Sequence, residues 1–139
     1  MEESTLKYWK DAGHVARRTL EAMKLELTPG KTFHEVIESA ERYIHRHGGK
    51  PAFPGTIAVN DLAAHFTTDH AVNQVEGWDG EMVLQKGDCV KIDFGVHIKG
   101  HIADNALTFE VGNGNEHTEQ IKAAKEARDA AIEMMHPGT

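Results

Sequence analysis

Between Cys89 and Val111 the chain alternates apolar and polar residues twice, on either side of Lys99-Gly100. Such alternation has the period of a half-buried strand, and a two-residue break ending in glycine is a hairpin turn. The segment therefore predicts an antiparallel pair, Cys89 to Ile98 and His101 to Val111. A two-residue loop also sets the register: 98 faces 101, 95 faces 104 and 93 faces 106. Asp93 and Asp104 then leave the same face of the sheet as diagonal neighbours, about 7–8 Å apart at the backbone. Two carboxylates so placed can converge on metal ions ~3.5–4 Å from each other. A three-residue loop would send them to opposite faces. The hairpin taken alone favours the plainer reading, two solvated acids, which are common on exposed strands.

Around this hairpin the pattern is helical. Leu6, Trp9, Val15, Leu20 and Met23 recur at helical spacing, so 4–27 reads as a helix with Ser4 as its cap and Leu27-Thr28-Pro29-Gly30 as its stop. Thr32 with Glu35 three residues on is a capping box opening a second helix, which His47-Gly48-Gly49 closes. Residues 51–55 read as a turn, Thr56 to Val59 as a short strand, 60–80 as loop and 81–84 as another short strand. Residues 117–135 read as a third helix, rich in alanine. Its end, His136-Pro137-Gly138, echoes Thr28-Pro29-Gly30 at an offset of 108 residues. That echo suggests the start of a second copy of one helix–Pro-Gly–helix unit.

The chain has 139 residues and a net charge of −7, concentrated in residues 51–119, which carry 3 basic and 11 acidic side chains. An acidic centre of this kind argues against nucleic acid or an anionic membrane as partner and suits a metal or a cationic group. Apolar runs fall short of the ~20 residues a membrane helix needs. The single cysteine, Cys89, leaves no intrachain disulfide and no CxxC zinc site, which makes a reducing, cytoplasmic setting the expectation. The length fits one domain spanning 1–139, or half of a larger one.

Lys-Ile-Asp93-Phe-Gly followed, after ten intervening residues, by Asp104-Asn-Ala-Leu-Thr108 resembles the metal-ligand hairpin of methionine aminopeptidases. Pro51-Ala-Phe-Pro-Gly-Thr-Ile-Ala-Val-Asn-Asp-Leu-Ala-Ala-His65-Phe-Thr67 is similar to the type II, archaeal and eukaryotic, branch of that family. The resemblance implies an α/β (α+β) chain forming half of a pita-bread fold, an antiparallel sheet covered by helices, here the N-terminal half. It implies removal of an initiator methionine with divalent Co, Mn, Fe or Zn. Asp93 would bind one metal and Asp104 would bridge two, His65 would contact the scissile peptide and act in catalysis, and Phe53 would wall the pocket for the methionine side chain. A histidine and two glutamates would come from the C-terminal half. The chain by itself is therefore expected to bind metal weakly and to be inactive or weakly active.

The substrate so implied is a peptide N-terminus beginning with Met, and the partner is the missing C-terminal half or a second copy. In the latter reading the chain is an engineered or ancestral-type half-domain that dimerises about a two-fold axis. Two copies of Asp93 and Asp104 would then form an oxygen-only site suited to Mn, Mg or Ca. Glu116-His117-Thr118 imitates a ligand motif but precedes a helix. His97 falls near the hairpin tip and reads as a turn residue, His45 and His47 do not face each other, and Cys89 reads as a small buried residue.

Overall fold

The computed structural model describes residues 3–68, 82–112 and 114–139. Three helices, α1 (Glu3–Glu26), α2 (Phe33–Arg46) and α3 (Thr118–Glu133), accompany four strands, β1 (Lys50–Pro51), β2 (Thr56–Val59), β3 (Cys89–Ile98) and β4 (His101–Glu110). The expected capping box opens α2: Thr32 accepts from the Glu35 amide and Glu35 accepts from the Thr32 amide. Gly48, at φ 82°, turns the chain after its C-cap His47. At the first helix the reading changes. Ser4 lies inside α1 and does not cap it.

β3 is the centre of the sheet. β4 pairs along its whole length on one side, and β1 and β2 share the other, all antiparallel. The β3–β4 turn is the two-residue one expected, Ile98 facing His101, with Lys99 and Gly100 both at positive φ as a type I′ turn requires. β1 falls within the stretch read as a turn. It is two residues long and contains Pro51, which has no N–H to donate, so periodicity could not reveal it. The strand expected at 81–84 reduces to one bridge, Val83 to Thr32, and Glu81 lies outside the described residues. Residues 60–68 form no regular element, as expected, while 69–80 of that loop lie outside the described residues.

The two faces of the sheet differ. Val90, Ile92, Phe94 and Val96 of β3 point into a core completed by Val15, Leu20 and Met23 of α1 and Phe33, Val36, Ile37 and Ile44 of α2. Ala103, Leu107 and Phe109 of β4 pack on the same side. The other face carries Lys91, Asp93, Gly95 and His97 of β3 beside Ile102, Asp104, Ala106 and Thr108 of β4, and neither α1 nor α2 covers it. α3 leaves the end of β4 and buries none of its own residues.

Candidate metal centre

The register places Asp93 opposite Ala106 and Asp104 opposite Gly95. The two aspartates are therefore diagonal neighbours on the open face, as the turn length predicts. Asp104 is exposed and Asp93 is half-buried, with its Oδ1 sealed from solvent and lacking any hydrogen-bond partner. Burial pushes the Asp93 carboxyl above its ordinary value, and the Asp104 carboxyl adds to the rise through its charge and a hydrogen bond, while His65 opposes it. A sealed carboxylate oxygen without a donor is costly, of order 1–3 kcal/mol, unless a cation meets it. The donor set suits a hard or borderline divalent metal.

His65 and Phe53 flank this pair. His65 is exposed and held in the left-handed region at φ 61°, a conformation that costs a non-glycine residue about 1 kcal/mol and concentrates at functional sites. Phe53 lies over Gly95, where an added Cβ would sit 2.2 Å from the ring carbon Cε1. The missing side chain at 95 is thus what lets the aromatic ring settle on the strand beside Asp104. Between the open face and α3 lies a cavity of about 310 Å³ reaching from Asp93 and Lys91 to Ala63, Ala64 and Arg128.

His97, read as a turn residue, lies instead within β3, half-buried opposite Ile102 and on the face that carries Asp93. His97 accepts from the Gly100 amide at the hairpin tip, and His47 stacks on Tyr43 with ring centroids 4.0 Å apart. His117 is the N-cap of α3, and its amide and that of Glu116 both donate to the Glu110 carboxylate, so Glu116-His117 belongs to a helix start. Cys89 is half-buried and free, more open than expected. Two contributors escaped the sequence reading. Glu110 tethers the start of α3, and Asn60 ties the loop before His65 to β3. The available signal for Asn60 was its type: an asparagine directly after a strand tolerates the left-handed conformation it adopts.

Among the described residues no group of three or more His, Cys, Asp or Glu side chains is arranged to hold a metal ion. The Metallopeptidase family M24 profile matches residues 7–139. The chain belongs to family M24. Methionine aminopeptidase from Thermococcus onnurineus is 39% identical over 127 residues, 91% of this chain and 40% of that protein. The Archaeoglobus fulgidus methionine aminopeptidase is 37% identical over 138 residues, 99% of this chain and 44% of that protein. Among solved structures, methionine aminopeptidase from Thermotoga maritima superposes with a TM-score of 0.85 at 26% identity, covering 99% of this chain and 55% of that one. The chain thus spans about half the length of the relatives it matches, and its antiparallel sheet with helices is a half-domain of the pita-bread fold.

Proposed function

We propose that this chain is the N-terminal half of a dimetal methionine aminopeptidase and supplies Asp93 and Asp104 to its metal centre. The observation that carries the reading is the orphaned Oδ1 of Asp93 on the same sheet face as Asp104. The substrate is a peptide N-terminus beginning with Met. Divalent ions of the Co, Mn, Fe or Zn class, when bound, supply Lewis acidity and a water of lowered pKa. This chain's residues supply part of what remains. Asp93 and Asp104 hold the metal side, His65 donates to the scissile peptide and orients it, and Phe53 shields one wall of the methionine pocket from water. With two carboxylates and no larger metal-holding group among the described residues, the chain binds metal weakly and turns over little or no peptide. The single free cysteine supports a reducing, cytoplasmic setting.

Titration with Mn²⁺, followed by calorimetry, tests this. Asp104→Asn should abolish binding while leaving the circular dichroism unchanged, because Asp104 is exposed. His65→Ala should leave binding intact. Undiminished binding in Asp104→Asn, or its unfolding, removes the ligand assignment.

A second reading has its own support. α3 buries nothing and Ile102 on the open face is 53% exposed, so a second copy of the chain can cover this face about a two-fold axis and bring four aspartates together.

A further inference from the structure

The loop that carries His65 is fastened at both ends. At its far end Phe66 returns to the sheet, its carbonyl accepting from the Ile57 amide at 2.8 Å, and its ring meets Phe33 edge-on at 6.2 Å between centroids. At its near end stands Asn60, the first residue after β2. Asn60 uses every polar group it has. Its amide donates to the Cys89 carbonyl at 2.9 Å, and its Oδ1 accepts from the Cys89 amide at 2.9 Å. Its Nδ2 donates to Asp88 Oδ1 at 3.0 Å, and its carbonyl accepts from Lys91 Nζ at 2.6 Å. Asp88 is fixed in turn, since its Oδ2 accepts from the Gln85 amide at 2.7 Å and its carbonyl accepts from the Val111 amide at 2.9 Å.

The partners are not scattered. Cys89 and Lys91 lie on β3 ahead of Asp93, and Asp88 immediately precedes that strand. Asn60 itself is exposed and left-handed at φ 54°, so neither burial nor backbone preference requires four hydrogen bonds here. An exposed side chain engaged on all sides serves geometry. Ala63 and Ala64, between Asn60 and His65, line the same cavity as Lys91 and Asp93. The position of His65 relative to Asp93 is therefore set by a short loop whose root is clamped to the strand that carries Asp93.

We infer that Asn60, oriented by Asp88, is a positioning residue that holds His65 across from Asp93. This rests on the assignment of Asp93, Asp104 and His65 proposed above. It adds to that assignment the device that keeps the histidine in register with the metal side, even though the two lie on different segments of the chain.

The test uses the full chain and Mn²⁺ alone, read by the paramagnetic broadening of NMR signals. In the native chain Mn²⁺ broadens the amides flanking Asp93 and the ring protons of His65. Asn60→Gly keeps positive φ available and removes only the side-chain bonds. It should leave Mn²⁺ affinity and the broadening at Asp93 within twofold of native (an order-of-magnitude bound), while the broadening of the His65 ring falls severalfold. N60D should do the same, because it sets one carboxylate against Asp88. The exchanged pair N60D/D88N restores an amide–carboxylate bond in the opposite sense, with an acceptor still offered to the Cys89 amide and to the Gln85 amide, and should recover the native His65 signal. A merely structural role would lower the broadening at Asp93 together with that of His65 in Asn60→Gly. Persistence of full His65 broadening in Asn60→Gly overturns the inference. If Mn²⁺ broadens nothing near Asp93 in the native chain, the metal assignment fails separately. The metal-free His65 ring shifts then decide about Asn60: collapse toward random-coil values in Asn60→Gly and recovery in the exchanged pair support the clamp, and unchanged shifts overturn it.

Discussion

An aspartate with one oxygen sealed from water is a burden on the metal-free chain. Folding raises the pKa of Asp93, first through burial and then through Asp104, so the folded state favours the protonated form. Its stabilising contribution is complete below the ordinary value of 3.8 and is lost as pH rises through the folded value. Asp93→Asn carries no such dependence. In thermal melts without metal, the variant should match the native chain in acid and exceed it near neutrality. A native chain that is more stable than Asp93→Asn at pH 7 without metal would contradict this account. A second prediction concerns Gly95. Gly95→Ala drives a Cβ into Phe53, and overpacking of this kind costs about 1–3 kcal/mol. Gly55→Ala meets Phe94 at 2.4 Å, and Phe94 is only 2% exposed. Half-buried Phe53 can swing away and Phe94 cannot, so denaturant midpoints should fall further for Gly55→Ala.

Helices and strands of this chain differ in what holds them. α2 has a capping box and a continuous apolar stripe, whereas α3 has neither a side-chain cap nor a buried residue. Ala127→Pro should therefore break α3, since proline in a helix interior costs about 3 kcal/mol locally. The expected outcome is a loss of helical circular dichroism with the denaturation midpoint of the rest unchanged within about 0.5 kcal/mol. A midpoint that moves with the helix would mean that α3 belongs to the cooperative unit. The same contrast explains what could be read in advance. Thr32 with Glu35, and Lys99-Gly100 between two alternating strands, are local rules that tertiary packing does not overrule, so α2, the hairpin and the shared face of Asp93 and Asp104 were legible. Two-residue β1 with its proline, the bare bridge at Val83, and the absence of burial along α3 depend on neighbours remote in sequence. Asn60 was hidden for the same reason: its partners lie 28 to 31 residues away.

At the scale of the molecule, α3 buries none of its residues and Ile102 stands 53% exposed on the open face. A standard interface covers about 800 Å² per partner, and the open face is where a second copy would make one. Sedimentation over a concentration series should show a dimer, with the dimer fraction rising on addition of Mn²⁺ in the native chain and not in Asp104→Asn. A strict monomer at high concentration would remove the two-fold reading and leave the half-enzyme reading in place. The sheet adds a consequence of its own. β4 pairs with β3 on one side, and among the described residues no strand pairs its other margin, a rim ten residues long where alternate residues turn their backbone N–H and C=O outward. Covering the open face would leave that rim bare. A partner meeting the face closes a pair and stops, but a strand meeting the rim renews the rim with every addition, so the two modes of self-association lead to a finite particle in one case and to open-ended growth in the other.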